Sequence, residues 1–240
     1  ANEAAIKLAR RYFNERNEAG RFRIITMEQS FHGRTMATLS ATGQDKIKKG
    51  FDPVLDGFDY VPFNDAAALR SRINSDTCAV LIEPVQGEGG VRTPDAEYLK
   101  AVREICDETD VLLIFDEIQT GMGRTGKLFA YEHFGIEPDV MTLAKALANG
   151  LPIGAMLARE EIAAAFNAGS HASTFGGTPI VTSVATRVCR MLVDEGIVEN
   201  AGAMGQYFKD RLLDLKARHA VVEDVRGIGL LLGMKLNKEG

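Results

Sequence analysis

The sequence predicts an α/β fold, a doubly wound and mostly parallel sheet followed by the start of a smaller C-terminal domain. Strand and helix patterns alternate along the chain, which is typical of such sheets. Residues 111–115, VLLIF, are five consecutive apolar residues and indicate a strand buried on both faces. A long charged helix over 197–219 is followed by new strands, which indicates that a second domain begins near residue 186.

The first half of the chain has clear start and stop signals for its elements. Apolar residues at Ala5, Leu8 and Tyr12 share one helical face, and Gly20 is the expected stop of that helix. Asp65 is the expected N-cap of a later helix. The predicted elements are, in order, helix 2–19, strand 23–27, polar loop 29–35, short helix 35–42, surface loop 43–57, strand 58–61, helix 66–72, strand 78–82 and helix 95–109.

The second half continues the alternation and divides the chain into two predicted domains. Its predicted elements are strand 111–115, glycine-rich loop 120–126, strand 140–143, a turn and strand over 150–158, helix 160–167, loop 170–179, helices 180–195 and 197–219, and strands 221–225 and 229–236 around a turn at Arg226-Gly227. Residues 1–185 are the expected large domain. Residues 186–240 are the expected linking helices and the start of the small domain.

Composition limits the kind of protein. The net charge of −5, with no Lys/Arg stripe beyond 46–49, argues against a nucleic-acid partner. No apolar run approaches the roughly 20 residues that span a bilayer, so we expect no membrane partner. Cys78, Cys106 and Cys189 are far apart and have no metal-ligand spacing, which suits buried thiols in a reducing cytoplasm. The chain opens inside a helical pattern without an initiator Met, so we expect it to be the middle portion of a longer protein.

An acid and an amine follow two successive predicted strands. Asp116 comes directly after 111–115, and Lys145 follows 140–143. In open α/β sheets ligands bind outside the carboxyl ends of the strands, so both side chains are expected in one crevice. Taken singly, each residue also has an ordinary structural interpretation, a helix cap for Asp116 and a solvated helix residue for Lys145.

Three other kinds of site have weaker support in the sequence. Residues 121–126 match the dinucleotide pattern G-x-G-x-x-G, but five residues separate them from the strand and no helix pattern follows, so a flexible active-site loop is favoured over a dehydrogenase. A strand followed by Asp-Glu also occurs in nucleoside triphosphatases, but the chain has no G-x-x-x-x-G-K-[ST]. His32, His133 and His171 share no helical spacing, so no metal site is expected.

Five sequence blocks in order along the chain resemble one enzyme family. The blocks are SFHGRT (30–35), EPVQGEGG (83–90), FDEIQTGMGRTG (115–126), LAKALANGLPIGA (143–155) and STFGG (173–177). Together they resemble the class III pyridoxal-phosphate aminotransferases, and within that family the branch that acts on N-acetylornithine. The resemblance implies a fold-type I large domain, pyridoxal 5′-phosphate as cofactor, and a cytoplasmic homodimer.

The resemblance also implies roles at the cofactor. It makes Lys145 the amine that binds the cofactor aldehyde, a task that needs a lowered lysine pKa, which burial can supply. It makes Asp116 the partner of the pyridine nitrogen, whose pKa a close carboxylate raises. Glu83 resembles a supporting catalytic acid, with a purely structural role as the alternative. The remaining implied cofactor contacts are Phe31 stacked on one ring face, Ile118 on the other, Gln119 at the phenolic oxygen, and the neighbouring His32 and Glu117.

Further residues are implied at the substrate and the dimer interface. Arg34 and Ser173 match substrate contacts, Arg34 as a carboxylate clamp because a guanidinium binds both oxygens at once. Glu88 resembles a gating acid that pairs with a C-terminal Arg. Thr174 matches the residue that reaches the neighbouring subunit's cofactor phosphate.

The implied reaction transfers the δ-amino group of N-acetylornithine to 2-oxoglutarate, as in arginine biosynthesis. Ornithine, 4-aminobutyrate, succinyldiaminopimelate and carrier-bound lysine remain rival donors, and a truncated non-catalytic dimerisation module remains a rival function. The family's phosphate loop precedes the first helix and its C-terminal Arg would lie beyond Gly240, so we expect weak or no turnover from residues 1–240 alone. Thr178 also stands where the family more often has Asn.

Overall fold

The computed structural model describes residues 1–237, and its strands and helices alternate as the sequence predicts. The strands are β1 (Arg23–Met27), β2 (Phe58–Val61), β3 (Thr77–Ile82), β4 (Leu112–Asp116), β5 (Val140–Leu143), β6 (Ala155–Ala158), β7 (Val222–Ile228) and β8 (Leu231–Leu236). The helices are α1 (Asn2–Glu15), α2 (Met36–Ala41), α3 (Asp45–Lys48), α4 (Ala66–Arg72), α5 (Tyr98–Thr109), α6 (Glu160–Ala163), α7 (Pro179–Asp194) and α8 (Ile197–Arg218).

Six strands form one sheet in the order β2-β1-β3-β4-β5-β6. The first five run parallel, and β6 pairs antiparallel with β5 at the edge. The predicted α/β class with a mostly parallel sheet is therefore confirmed. Since β4 and β5 are neighbours and parallel, their carboxyl ends lie side by side.

Helices cover both faces of this sheet, which makes it doubly wound. Leu81 and Ile114 pack into a core cluster with α1 on one face, while Val80 and Leu113 pack into a cluster with α5 on the other. Successive side chains of a strand point to opposite faces, so strands covered on both sides must be apolar throughout. That requirement explains the unbroken apolar run in the centre of the sequence.

The C-terminal part has a separate two-stranded antiparallel ribbon of β7 and β8. The predicted turn at Arg226-Gly227 is wrong, because both residues lie inside β7, where Arg226 pairs with Gly233. The connection is instead at Gly229-Leu230, and Gly229 has the positive φ of 55° that a tight reversal favours.

Other boundaries differ by a few residues from the predicted ones. Helix α1 ends at Glu15 because Asn17 adopts a left-handed conformation with φ of 62°, three residues before Gly20. The predicted surface loop 43–57 contains the short helix α3, whose first residue Asp45 is acidic and therefore favourable at a helix N-terminus. Within residues 1–237, no helix combines the length and apolar character needed to cross a membrane.

Candidate active site

Asp116 and Lys145 line the same cavity at the carboxyl ends of the central strands. Asp116 is the last residue of β4, and Lys145 follows β5 after one alanine. The predicted convergence of the acid and the amine is therefore present in the structure. The cavity has a volume of about 190 Å³ and is lined by Phe31, His32, Gly33, Glu83, Asp116, Ile118, Gln119, Ala144 and Lys145.

Lys145 has an unusual backbone conformation. Its φ of 45° lies in the left-handed region, which residues other than glycine, asparagine and aspartate rarely adopt, and it begins a 3₁₀ turn that ends at Ala148. Such conformations cluster at functional sites, where the surrounding structure holds them. The side chain is exposed, so the burial assumed from the sequence is not supplied by this chain alone.

The Asp116 carboxylate is buried and fixed by three donors. Its Oδ2 atom accepts from Nδ2 of Asn2 at 2.7 Å and lies 2.8 Å from Nδ1 of His32. Its Oδ1 atom accepts from the backbone N–H of Ile118 at 3.1 Å. A carboxylate has about four acceptor positions, so one position on Oδ1 has no donor among the described residues.

Glu83 joins two loops at the cavity wall. One oxygen accepts from the backbone N–H of Phe31 at 3.0 Å and the other from that of Gly87 at 3.1 Å. Burial raises the pKa of the Glu83 carboxyl to about 7, against the opposing influence of His32. This carboxyl therefore titrates close to neutral pH while it holds two segments of backbone.

Three further residues shape the walls. Phe31 and Ile118 supply apolar surface to the cavity, and the Arg34 guanidinium lies 5.3 Å from the centre of the Phe31 ring. Gln119 packs so closely on Gly87 that a Cβ there would lie 2.6 Å from Oε1 of Gln119. Gly87 is thus needed for the position of the Gln119 amide.

Comparison with known proteins gives the family. The profile of the family described as aminotransferase class-III matches residues 1–240. The chain belongs to the class III aminotransferases. Members of this family use pyridoxal phosphate.

Curated relatives within the family are similar over the entire chain. An acetylornithine aminotransferase of Caldanaerobacter subterraneus subsp. tengcongensis is 50% identical over 239 residues, which are 100% of this chain and 61% of the relative. An acetylornithine aminotransferase of Agrobacterium fabrum is 49% identical over 98% of this chain and 59% of the relative. The chain therefore spans about three fifths of the length of these relatives.

Solved class III structures have the same fold. The ornithine aminotransferase of Toxoplasma gondii superposes with a TM-score of 0.94 at 34% identity, over 98% of this chain and 57% of that one. A second structure of that enzyme has pyridoxal phosphate at partial occupancy in its active site. An (S)-enantioselective omega-transaminase of Thermomicrobium roseum has a TM-score of 0.94 at 32% identity, over 100% of this chain and 59% of that one.

Not every expected site residue of this class III chain faces the cavity. The Glu117 carboxylate points away from it and accepts from Thr120 Oγ1 at 2.5 Å and from the backbone N–H groups of Ala130 and Tyr131 at 2.9 Å each. In this chain the carboxylate anchors a turn and the following segment, and its expected cofactor contact stays a prediction. The reason that the carboxylate points away is geometric, since consecutive residues of an extended segment point to opposite sides.

The expected substrate and interface residues do not line the cavity. Arg34 and Glu88 are exposed and sit next to the cavity-lining Gly33 and the Glu83-bound Gly87. Ser173 lines a separate depression of about 900 Å³, and the neighbouring Thr174 is also exposed. One chain alone does not bring these four residues together.

The sequence interpretation missed two polar residues of the network behind Asp116. Asn2 is 3% exposed and occupies the apolar face of α1, three positions before Ala5. Thr142 is fully buried in the otherwise apolar strand β5. A polar residue on a buried face needs a hydrogen-bond partner, and that signal was available in the sequence.

The glycine run 121–126 is a packing segment in this class III chain. A Cβ at Gly123 would lie 3.2 Å from Leu192 and 3.3 Å from Val198, and a Cβ at Gly126 would lie 2.7 Å from Cα of Gly202 in α8. The run forms turns, as expected of a loop, and much of it is buried, while its flexibility stays a prediction. The run opens no helix, as its context in the sequence had indicated.

Proposed function

We propose that the protein containing this chain is a pyridoxal-phosphate-dependent aminotransferase that transfers the δ-amino group of N-acetylornithine to 2-oxoglutarate. The observation that carries the proposal is the cavity shared by Asp116 at the end of β4 and Lys145 after β5. A carboxylate and a primary amine at one cavity are the two groups that this cofactor requires of a protein.

The residues of the cavity fit pyridoxal phosphate. Asp116 has an open acceptor position for a pyridinium N–H, and Phe31 and Ile118 offer apolar surface for the two faces of a ring. Gln119 has an amide donor for the phenolic oxygen. These polar groups and apolar surfaces are complementary to the polar atoms and ring faces of the cofactor.

Pyridoxal phosphate supplies an aldehyde that captures amines and a ring that withdraws electrons from the adjacent carbon. In the proposed site Lys145 Nζ would hold the cofactor through that aldehyde and would also be the group that takes up and returns the substrate proton. Asp116 keeps the ring nitrogen protonated, since a buried anion favours the positive form of its partner. Phe31 and Ile118 exclude water from the ring faces.

Glu83 and His32 hold the cavity-lining groups in position. Glu83 holds the backbone of Phe31 and Gly87, so it fixes one wall of the ring site and the start of the loop with Glu88. His32 Nδ1 donates to Asp116 and restricts the direction of the carboxylate. We therefore assign Glu83 a supporting role, with direct proton transfer as the alternative.

The amino donor is proposed from the relatives. The acetylornithine aminotransferases are about 50% identical to this chain, whereas the T. gondii ornithine aminotransferase is 34% identical. We propose Arg34 as the clamp for a substrate carboxylate, Ser173 as a second contact, and Glu88 as the gating acid. Ornithine, 4-aminobutyrate, succinyldiaminopimelate and carrier-bound lysine are the alternative donors.

We further propose a cytoplasmic homodimer in which Thr174 reaches the partner's cofactor phosphate. Support comes from the neighbouring Phe175, whose side chain is 78% exposed, since a large apolar residue so exposed suits a covered interface. Three free cysteines, two of them buried, suit a reducing compartment. The separate ribbon supports a large domain over 1–185 and a small domain beginning near residue 186.

The cofactor assignment is tested on the full-length protein. Borohydride reduction of the yellow holoprotein is expected to fix the label on Lys145, as located by peptide mass spectrometry, and the Lys145→Ala protein should stay unlabelled. The exposed Lys100→Ala variant, which keeps the site intact, is the matched control. A label on another lysine, or none on the wild type, would overturn the assignment.

The donor assignment is tested by half-reactions. Stopped-flow absorbance of the holoprotein with each candidate amine is expected to give the highest second-order rate constant with N-acetylornithine. A higher constant with ornithine or 4-aminobutyrate would reassign the substrate. No absorbance change with any amine would favour the non-catalytic dimerisation module.

A further inference from the structure

The side-chain amide of Asn2 bridges the ends of β4 and β5. Its Nδ2 atom donates to Asp116 Oδ2 at 2.7 Å and to the backbone oxygen of His32 at 2.8 Å. Its Oδ1 atom accepts from Thr142 Oγ1 at 2.6 Å. Asn2, Thr142 and Asp116 are all buried, so water does not compete for these bonds.

The orientation of this amide is fixed by its partners. The Asp116 carboxylate and the His32 carbonyl only accept, so both hydrogens of the Asn2 amide must face them. The hydroxyl of Thr142 then donates to the remaining oxygen, and Thr142 stands directly opposite Asp116 in the β4–β5 ladder. A reversed amide would place two acceptors against each other.

The two oxygens of Asp116 are therefore used unequally. Asn2 and His32 occupy both acceptor positions of Oδ2, while the Ile118 N–H occupies one position of Oδ1. Among the donors of residues 1–237, none fills the remaining position, which is on Oδ1. The donors thus decide which oxygen is available to a ligand in the cavity.

We infer that Asn2, oriented by Thr142, is a positioning residue that aims Oδ1 of Asp116 at the pyridine nitrogen of the cofactor. The inference rests on the proposed function and deepens it. Asn2 itself does not line the cavity and acts only through Asp116. Loss of its amide frees Oδ2 and lets the carboxylate rotate, which weakens the bond to the ring nitrogen.

The test compares two ligands on the full-length apoprotein, pyridoxal 5′-phosphate and its carbocyclic analogue 1-deazapyridoxal 5′-phosphate, which lacks the ring nitrogen. Asn2→Ala is expected to weaken binding of pyridoxal phosphate on the order of tenfold, as for loss of a hydrogen bond to a charged group. Binding of the analogue should change little, because the analogue offers Asp116 no N–H. The affinities are measured by absorbance titration.

If Asn2 had a merely structural role, Asn2→Ala would lower the affinity for both ligands by the same factor, and that result would overturn the inference. Thr142→Val should reproduce the selective loss and Thr142→Ser should restore it, which covers the case in which Asn2→Ala does not fold. Asn14→Ala, an exposed asparagine on the same helix, is the matched control. Unchanged binding of both ligands in Asn2→Ala would also overturn it.

The measurements distinguish failure of this inference from failure of the proposed function. Wild-type protein that fails to bind pyridoxal phosphate or to be labelled at Lys145 overturns the proposed function and this inference together. Wild-type protein that is labelled, combined with an unchanged ratio of the two affinities in Asn2→Ala, overturns the inference alone.

Discussion

Nδ1 of His32 lies 2.8 Å from Oδ2 of Asp116, and both side chains are shielded from solvent. Because the carboxylate accepts, the Nδ1 nitrogen carries the hydrogen, while the buried Nε2 has no partner among the described residues. Among the described residues, the imidazole therefore forms its hydrogen bond with Asp116 alone. This arrangement fits a role in orienting the carboxylate better than a role as an acid or base toward substrate.

Removal of this donor should weaken cofactor binding. His32→Phe keeps the bulk of the ring but leaves Asp116 without one charged hydrogen bond, which is expected to cost about 1.5–3 kcal/mol, or tenfold and more in affinity. The affinity of full-length apoprotein for pyridoxal phosphate checks this. His32→Asn can place its amide near the Nδ1 position and should recover part of the loss.

The control for the histidine is His219→Phe, since His219 is exposed at the end of α8. Its affinity should equal that of the wild type. Equal affinity in His32→Phe would mean that Asp116 is held adequately by Asn2 and Ile118.

Glu83 should make the stability of the protein depend on pH. Burial raises the pKa of its carboxyl in the folded state to about 7, above the ordinary value of 4.5. Between these values the folded state holds the proton that the unfolded state has lost, so stability falls as pH rises through this window. From about pH 5.5 to about pH 7.5 the contribution is a loss of about 2 kcal/mol.

The measurement is urea unfolding of full-length protein at both pH values. Glu83→Gln removes the titration, so the wild type should lose about 2 kcal/mol more than this variant over the interval. Glu88→Gln, on the exposed carboxyl five residues later, should behave as the wild type does. If the stability of the wild type and of Glu83→Gln changed equally with pH, the Glu83 carboxyl would not titrate within this pH interval.

Glu117 should be needed for stability rather than for cofactor contact. Its buried carboxylate satisfies Thr120 and the backbone N–H groups of Ala130 and Tyr131. Glu117→Ala leaves these three donors without their acceptor and is expected to destabilise the protein by about 2–4 kcal/mol in urea unfolding. The exposed Glu137→Ala is the control and should change stability by less than about 0.5 kcal/mol.

A different result for Glu117→Ala would support the cofactor contact that the sequence predicts for Glu117. If Glu117→Ala kept wild-type stability and bound pyridoxal phosphate more weakly, the residue would contact the cofactor after a local rearrangement. The two readouts, unfolding midpoint and affinity, separate these cases.

The contrast between Asp116 and Glu117 shows how far sequence reasoning extends at this site. The unbroken apolar strand and the acid at its end were sufficient to predict that Asp116 meets Lys145, because parallel strands place their carboxyl ends on one edge. The same pattern did not tell which of two adjacent acids faces the cavity. That choice depends on where the strand ends, and it ends at Asp116.

Asn2 illustrates a second limit of prediction from the sequence. Its partners His32, Asp116 and Thr142 are up to 140 positions away along the chain. Periodicity places Asn2 on the buried face of α1 but cannot name a partner across the sheet. Thr174 illustrates a third limit, since its proposed contact with another subunit would be a property of the assembly and not of one chain.

Gly202 and Gly205 lie in the same helix, α8, but have different surroundings. A Cβ at Gly205 would lie 2.3 Å from the backbone carbon of Gly229, whereas a Cβ at Gly202 would have its nearest neighbour, Cα of Gly126, at 3.6 Å. Replacement of a helical glycine by alanine is worth about 0.5–1 kcal/mol where space allows. Gly202→Ala should therefore raise the urea midpoint slightly.

Gly205→Ala should instead reduce the free energy of unfolding by about 1–3 kcal/mol and so lower the urea midpoint, because a rigid backbone must move away from the new methyl group. The paired measurement removes the propensity effect, which is common to both variants, and leaves the packing of α8 on the Gly229 turn. If both variants were stabilised, α8 would not lie against this turn in solution, and the ribbon of β7 and β8 would be joined to the rest of the protein in another way. Opposite signs for the two alanines are therefore the specific signature of the packing described here.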